Sequence, residues 1–255
     1  MFYMCLILFA YQKHPKYKLI VAANRDEAYH RPTAPAHFWE DIPFILAGRD
    51  LEKMGTWMGV TKSGRFSALT NYRDPKETKE GKNSRGELVS NALTFQGEVS
   101  DYMKSLGRSD DSYPGYNILA GDSNELFYYS NVGKTLIKIS PGVYGLSNHL
   151  LDSEWPKVKR GKEGLTQITA NDSELQVEEI FSLLSNAEEA PDELLPNTGV
   201  PLEMERVLSP MFIKSNGYGT RSSTILLMSD TEIEFIERVY VSDGTSKTEK
   251  FTIKF

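Results

Sequence analysis

Short apolar runs separated by polar turns dominate the first third of the chain. Residues 4–11 and 18–23 are almost wholly apolar and flank a polar stretch, a pattern that predicts a hairpin of two well-buried strands. Residues 56–61 and 65–70 predict a second hairpin, with Gly64 in its turn supplying a positive φ. The N-terminal part is therefore expected to be β-structure.

Helical periodicity appears in two pairs of segments. Residues 85–95 and 98–106 form the first pair, and residues 154–168 and 173–185 form the second. A short helix is also expected near residues 201–207, inside an otherwise irregular stretch.

Helix-boundary signals support these segments. Ser84 followed by Glu87 three positions later is a capping-box pattern for the first helix, and Gly107 is expected to end the second. Ser173 is the expected N-cap of the last long helix.

The remaining segments alternate between loop and strand. Three prolines at positions 32, 35 and 43 predict a loop, because proline cannot sit inside a central strand. Residues 116–147 predict a strand meander. Residues 220–229, 232–241 and 248–255 predict C-terminal strands.

The order of the elements predicts the fold class. Strands, a helix pair, strands, a helix pair and strands again are typical of an α+β fold with mainly antiparallel sheets. The sequence shows no internal repeat, low-complexity tract or linker, so one domain over residues 1–255 is expected.

Composition and charge exclude several classes of protein. The net charge is −6 and no block of lysine and arginine stands out, which argues against a nucleic-acid partner. A single cysteine excludes an internal disulfide and fits a reducing compartment. The apolar start is too short for a membrane span and lacks a preceding basic region. A cytoplasmic protein is expected.

The only cysteine, Cys5, follows Met4 at the start of the first apolar run. If translation starts at Met4, or if residues 1–4 are cleaved off, its thiol stands beside a free α-amine. Such an amine, with an ordinary pKa of about 8, can act as the general base for that thiol. If Met1 is the terminus, Cys5 is instead an ordinary buried strand residue, as free cysteines often are.

Four polar residues, Asn24 to Glu27, directly follow the second predicted strand. One interpretation is a solvated loop with a local ion pair. The other is a site beside Cys5, in which Arg25 stabilises a thiolate and a carboxylate such as Asp26 orients an α-ammonium.

Three further segments carry polar groups where a strand meets a turn. Asn71 could donate its amide to a developing oxyanion, or could simply initiate a turn. Asn148 is a second oxyanion candidate, whereas its neighbour His149 is expected to be satisfied locally. Arg221 enters a C-terminal strand among hydroxyl residues, which suits either a site lined by donors or a plain edge strand. The candidate substrate contacts are Asn24, Trp57, Tyr72 and Ser222.

Several motifs of known chemistry are missing from the sequence. It contains no Gly-x-Ser-x-Gly elbow, no P-loop and no dinucleotide-binding glycine motif. The four histidines are dispersed and form no metal-ligand spacing. No metal and no cofactor are therefore expected.

A series of motifs along nearly the whole chain resembles the NRDE family, also called the transport and Golgi organisation protein 2 family. The first are Met4-Cys5-Leu6-Ile7 and Leu19 to Glu27, which ends in Asn-Arg-Asp-Glu. Further matches are Arg31-Pro32, Phe38-Trp39, Ala47 to Asp50, Gly55 to Val60, Ala68 to Arg73, Ser84 to Val89, Tyr116-Asn117, Gly145 to Asn148 and Gly219 to Thr224.

This resemblance implies an N-terminal-nucleophile (Ntn) hydrolase-like fold, a four-layer αββα sandwich. Within that superfamily the family is similar to the choloylglycine hydrolase and penicillin V acylase group. The implied catalytic residues are Cys5, Arg25, Asp26, Asn71, Asn148 and Arg221. The acylases separate the Arg and the Asp, whereas here they are adjacent, and adjacent residues on an extended segment face opposite sides. We therefore expect Arg25 and Asp26 not to reach the thiol together, with Asn24 available for one of the roles.

Two functions remain open at this point. The first is a cysteine-dependent Ntn amidohydrolase acting on a non-peptide C–N amide bond. The second is a non-catalytic carrier on the same scaffold, because fold does not fix activity; members of the family are associated with haem trafficking and with lipid and coenzyme A metabolism. Its ligand would be haem or an acyl-coenzyme A or lipid-related molecule.

Overall fold

Two antiparallel sheets form the middle of the molecule. They are seen in a computed structural model that describes residues 4–78, 80–170, 175–241 and 245–255. In chain order the strands are β1 (Met4–Tyr11), β2 (Leu19–Ala28), β3 (Thr33–Phe38), β4 (Ile45–Asp50), β5 (Met58–Thr61), β6 (Phe66–Asn71), β7 (Tyr116–Gly121), β8 (Leu126–Ser130), β9 (Thr135–Lys138), β10 (Gly142–Leu146), β11 (Lys214–Ser215), β12 (Tyr218–Met228), β13 (Glu232–Tyr240) and β14 (Ser246–Lys254). The α-helices are α1 (Gly86–Thr94), α2 (Val99–Ser105), α3 (Pro156–Thr169), α4 (Val177–Leu184) and α5 (Leu202–Val207).

The two sheets differ in how the chain runs through them. The first sheet has the order β10-β1-β2-β12-β13-β14, with the short β11 paired to β12. The second sheet contains β3 to β9 in sequence order. The first sheet thus brings together strands from both ends of the chain, and its two central strands are β2 and β12.

Helices cover the outer face of each sheet. Helices α3 and α4 pack on the first sheet, and α1 and α2 pack on the second. A third apolar cluster fills the space between the two sheets. The predicted four-layer αββα sandwich with mainly antiparallel sheets is confirmed.

Strand β1 is buried on both faces, which explains its unbroken apolar sequence. Because side chains alternate along a strand, Ile7 and Phe9 point between the sheets, whereas Met4 and Leu6 point toward α3 and α4. Cys5 shares the parity of Ile7, and its side chain therefore faces the space between the sheets.

The proline-rich segment is not the loop that was predicted. It contains β3 and β4, the first two strands of the second sheet. Pro35 is tolerated because β3 is an edge strand whose pairing register is irregular between Ala34 and His37. The segment at residues 116–147 also differs from a simple meander, because its last strand, β10, leaves the second sheet and pairs with β1.

The predicted helices are present, but the capping box predicted for the first of them is not. Helix α1 begins at Gly86 with Arg85 at its N-cap, and no side chain caps it, so the capping box does not form. Glu87 instead accepts a hydrogen bond from the Tyr113 hydroxyl. Gly64 has a φ of +88°, as its turn requires. The predicted N-cap Ser173 lies outside the described residues.

Within the described ranges, none of the helices combines the length and the apolar character needed to cross a membrane.

Candidate functional site

A cavity of about 410 Å³ opens between the two sheets at the end where β1 begins. The inward faces of β1, β2, β12 and β13 form one wall, and β3, β4 and β6 form the opposite wall. The segment before α1, residues 82–86, contributes to the rim. Of the ten predicted site residues, seven line this cavity: Cys5, Arg25, Asp26, Trp57, Asn71, Arg221 and Ser222.

The backbone of Cys5 is hydrogen-bonded through both its amide nitrogen and its carbonyl oxygen. Its amide nitrogen donates to Oδ1 of Asn148 at 3.2 Å, and its carbonyl oxygen accepts a hydrogen bond from the Ser147 hydroxyl at 3.0 Å. Asn148 is the second residue after β10, the strand that pairs with β1. The position of the thiol is therefore fixed by the strand and by the turn after β10.

Burial raises the pKa of the Cys5 thiol to about 12, and the charge of Asp26 adds to the increase. The opposing contribution of Arg25 is smaller. With Met4 attached, Cys5 is therefore a protonated thiol at neutral pH, and its nitrogen is part of a peptide bond that cannot accept a proton.

The segment Asn24 to Glu27 divides between the two faces of β2. Arg25 lies opposite Cys5 in the register, and it shares the cavity side with Glu27, 3.4 Å away. Asn24 and Asp26 project instead toward the helices, because neighbouring residues on a strand alternate. Arg25 and the Asp26 side chain thus approach Cys5 from different sides of the sheet.

Asn24 is a brace on the helix side of the first sheet. Its amide donates to the carbonyl oxygens of Leu184 and Met211 at 2.9 and 2.8 Å, and its oxygen accepts from the Ser223 hydroxyl at 2.5 Å. The side chain is wholly buried and does not line the cavity. These hydrogen bonds hold the end of α4 and the loop around Met211 against β2 and β12.

Changing Asn24 to alanine is expected to lower the free energy of unfolding by about 1–3 kcal/mol, because buried hydrogen-bonding groups lose their partner. Urea denaturation measures this change. Asn71→Ala is the matched control, since Asn71 lies at the cavity and its loss should cost less than about 1 kcal/mol. Equal effects of the two changes would contradict the bracing role of Asn24.

Asp26 is buried with one of its oxygens unpaired. Oδ1 accepts from the Thr220 hydroxyl at 2.6 Å, whereas Oδ2 has no hydrogen-bond partner among the described residues. Burial raises the pKa of this carboxyl to about 7, against the lowering influence of Lys157 and Thr220. A protonated or otherwise compensated carboxyl is favoured at this position.

Arg221 reaches the cavity from an irregularity in β12. The register between β12 and β2 shifts between Thr220 and Ser222, and Arg221 is the extra residue. Its Nη1 donates to the carbonyl oxygens of Ala28 and Arg31 at 3.3 and 2.5 Å. No carboxylate lies within ion-pair distance of its guanidinium in the described part of the chain.

The two predicted oxyanion donors are arranged differently. Asn71 is one of the residues that line the cavity, and its side chain forms no hydrogen bond with any described residue, which leaves its amide N–H₂ available. Asn148 donates its amide to the Asn71 carbonyl oxygen at 2.9 Å and accepts from the Cys5 nitrogen. Asn148 is thus placed to position Cys5 and Asn71, and it is not part of the cavity wall.

Of the remaining predicted substrate contacts, two line the cavity and one does not. Ser222 lines the cavity beside Glu237, and Trp57 lies in the opposite wall. Tyr72 is turned away and packs against His149, with ring centroids 5.2 Å apart. Burial, with a contribution from Arg73, lowers the pKa of His149.

Sequence reasoning missed a group of buried polar residues below Cys5, on the helix side. Arg73 and Glu205 form an ion pair of 2.6 Å, with 3% and 4% of their side chains exposed. Tyr218 accepts a hydrogen bond from the Met4 nitrogen at 2.6 Å. Lys157 is buried in the first turn of α3. The one available signal was Lys157 itself, because a lysine opposes the positive end of a helix.

The described residues contain no cluster of three or more histidine, cysteine, aspartate or glutamate side chains that could hold a metal ion.

Solved structures with a similar arrangement of sheets and helices show which fold this is. One is a Caenorhabditis elegans N-acylethanolamine-hydrolyzing acid amidase ortholog, with a TM-score of 0.51, 9% identity and coverage of 88% of this chain and 92% of that chain. Another is a mutant conjugated bile acid hydrolase from Clostridium perfringens, with a TM-score of 0.51, 10% identity and coverage of 100% of this chain and 97% of that chain. The fold is therefore Ntn-hydrolase-like.

Sequence relatives then give the family. The model of the family described as transport and Golgi organisation 2 matches residues 4–242, and the chain belongs to this family. A homolog from Mus musculus is 35% identical over 277 residues, and one from Homo sapiens is 33% identical over 273 residues; each alignment covers 99% of both chains. A Drosophila melanogaster relative is 30% identical over 92% of this chain and 91% of its own. The resemblance drawn from the motifs is confirmed.

Proposed function

We propose that this protein, in a form whose chain begins at Cys5, is a cysteine-dependent Ntn amidohydrolase acting on a non-peptide C–N amide bond. One observation carries the proposal: the Cys5 thiol lies at the cavity while its nitrogen is already held by Asn148. Removing the residues before Cys5 would turn that nitrogen into an α-amine beside the thiol. Either a start at Met4 followed by loss of that methionine, or cleavage before Cys5, would produce this form.

The chemistry then follows from the positions of the groups. The neutral α-amine accepts the proton of the thiol, and the sulfur electron pair attacks the amide carbonyl carbon. The Asn71 amide, from a residue that lines the cavity, donates to the oxyanion in this scheme. The α-ammonium returns its proton to the leaving nitrogen as the C–N bond breaks. Water, deprotonated by the amine, then cleaves the thioester and regenerates the thiol.

The charge of the cavity indicates an acidic substrate. Five arginines and two lysines line it, against four carboxylates. Among the residues that the structure describes, Arg221 has only carbonyl partners and Arg25 has only the 3.4 Å contact with Glu27, so these two guanidiniums retain donors for an anionic group. A carboxylate or phosphate on the substrate is the complementary feature.

Labelling of the thiol tests the proposal directly. Protein beginning at Cys5, released by a site-specific protease, is compared with protein beginning at Met1 in its reaction with iodoacetamide at pH 7.5. We expect the Cys5-first form to react at least about tenfold faster, because each unit by which the thiol pKa falls raises the thiolate fraction about tenfold.

The control is Cys5→Ser in the Cys5-first form, which should not be labelled. Intact mass after incubation with acidic N-acyl amides should show an acyl adduct on Cys5 and not on the serine variant. Equal, slow labelling of both forms would contradict the hydrolase function.

A second candidate function is a non-catalytic carrier. It is favoured by the environment of Met4, which is wholly buried and hydrogen-bonded to Tyr218, and by the raised pKa of the Cys5 thiol in the chain that retains it. The same cationic cavity would then hold haem or an acyl-coenzyme A thioester. Titration of the Met1-first form with each ligand tests this, and absence of binding to both contradicts it. The cytoplasmic location suggested by the single cysteine stays a prediction.

A further inference from the structure

Lys157 occupies a position that is unfavourable for a lysine. It is the second residue of α3, where the helix dipole is positive, and only 3% of the residue is exposed. Its ammonium donates to the carbonyl oxygen of Leu208 at 3.0 Å. No carboxylate within the described residues comes close enough to form an ion pair with it. A buried cation with so little compensation calls for an explanation beyond stability.

The surroundings of Lys157 lie under the start of β1. Met4 points to this side of the sheet, where Arg73 donates to its sulfur at 3.4 Å. Lys157 interacts electrostatically with Asp26, Arg73, Cys5 and Glu205. The charged and titratable groups around the Cys5 backbone are Arg25, Asp26 and Glu27 on β2, Arg73 after β6, His149 after β10, Lys157 on α3, Glu205 on α5 and Tyr218 on β12.

We propose that Lys157 is a positioning residue that keeps the α-amine of a Cys5 terminus neutral, so that this amine can accept the proton of the thiol. The inference rests on the proposed function, because it needs a chain that begins at Cys5. Lys157 touches neither substrate nor thiol in this role and acts through its charge.

The balance of charges supports this role. With Met4 attached, three cations (Arg25, Arg73 and Lys157) face three carboxylates (Asp26, Glu27 and Glu205) around Cys5. An ammonium on Cys5, a residue that is 7% exposed, would be an unmatched fourth cation, and an uncompensated, largely buried charge is costly. The neutral amine is therefore the favoured form, and it is the form that a general base requires.

The titration of the neighbouring groups agrees with this geometry. Burial lowers the pKa of Lys157 to about 8, although Asp26 opposes the decrease. The Asp26 pKa, raised to about 7 mainly by burial, lies close to that of the lysine. Asp26 and Lys157 therefore both titrate near neutral pH. A protonated α-amine on Cys5 would add a further positive charge beside them.

The test uses Lys157→Met in protein that begins at Cys5. Removing one positive charge raises the proton affinity of every neighbouring group, so the amine becomes charged up to a higher pH. We expect the pH midpoint of Cys5 alkylation by iodoacetamide, a neutral reagent, to rise by at least about one unit, and the rate at pH 7 to fall about tenfold.

Two companion variants separate charge from packing. Lys157→Arg retains the cation and should keep the wild-type midpoint. Lys159→Met is the matched control, because Lys159 is an exposed neighbour on the same helix, paired with Glu154; it should leave the profile unchanged. Circular dichroism reports whether each variant folds.

The possible outcomes distinguish this inference from the proposed function. If the Cys5-first wild type does not react, the hydrolase function fails. If it reacts and Lys157→Met keeps the same midpoint, the role of Lys157 is overturned. If Lys157→Met does not fold, the α-amine of ¹⁵N-labelled Cys5 is titrated by NMR in the wild type. A pKa at or above the ordinary value of about 7.7–8.0 overturns the proposal, and a lower one supports it.

Discussion

Replacing Arg73 by methionine is expected to lower the free energy of unfolding by about 3–5 kcal/mol, the usual loss when one partner of a buried ion pair is removed. The guanidinium donates to Glu205 at 2.6 Å, and both side chains are almost fully buried. It also lies over the Trp155 ring, 4.4 Å from the centroid. Without Arg73, the Thr198 hydroxyl and amide would be the only donors that the described residues offer to the Glu205 carboxylate.

Urea denaturation of the full chain measures this loss. The double variant Arg73→Met with Glu205→Met should recover most of it, because two apolar side chains of similar shape leave no unpaired charge. Arg206→Met is the matched control: Arg206 pairs with Asp192 at the surface, with 40% and 50% of the side chains exposed, and its loss should cost less than about 1 kcal/mol. A loss below about 1 kcal/mol for Arg73→Met as well would refute the expectation.

The elements that sequence patterns predicted well are those whose burial follows local periodicity. Strand β1 was recognisable because both of its faces are buried and the run of apolar residues is unbroken. The helix pairs were recognisable because each buries one stripe against a sheet. Strands β3 and β4 were missed because their prolines and polar residues predict a loop. They form strands because β4 pairs with β5, and β3 then pairs with β4 at the edge of the sheet.

The candidate site was predictable only where reactive or polar residues stand at the ends of the apolar runs in the sequence. Cys5 and Arg221 stand near the start of such runs, Arg25 and Asn71 come just after them, and all four line one cavity. Strand alternation was enough to predict that the residues from Asn24 to Glu27 divide between two faces of the sheet. The hydrogen bonds that fix Asn24 could not be predicted, because their acceptors, in α4 and in the loop around Met211, are far away in the sequence.

The charged residues on the helix side of Cys5 show which contacts local sequence patterns cannot predict. Arg73 and Glu205 are 132 positions apart, and Lys157 belongs to a helix between them. The packing of α3 on the first sheet and the hydrogen bonds from Arg73 to Glu205 and from Lys157 to Leu208 bring them together. No periodicity in any one segment contains that information.

The pair Asp26 and Lys157 is expected to make stability depend on pH in a particular way. A carboxyl whose pKa rises from 3.8 to about 7 on folding binds its proton more tightly in the folded state. Stability therefore falls as the pH rises from about 4 to about 7. Lys157, with a pKa lowered from 10.5 to about 8, releases its proton more readily when folded. Stability therefore recovers between about pH 8 and 10.5, and the pair is least favourable between pH 7 and 8.

The double variant Asp26→Asn with Lys157→Met is accordingly expected to be more stable than the wild type, by about 1–4 kcal/mol at pH 7.5, because neutral residues of similar shape avoid the cost of burying both charges. Urea midpoints between pH 4 and 10 measure the gain, which should shrink toward both ends of that range. Lys157→Met alone, which leaves the Asp26 carboxyl buried without its cation, should gain less. A double variant that is less stable at pH 7.5, with the wild-type pH dependence, would show that the pair stabilises the fold. A stabilised double variant whose Cys5-first form has lost thiol reactivity at pH 7 would instead show that the fold retains these charges at a cost in stability, for the chemistry at Cys5.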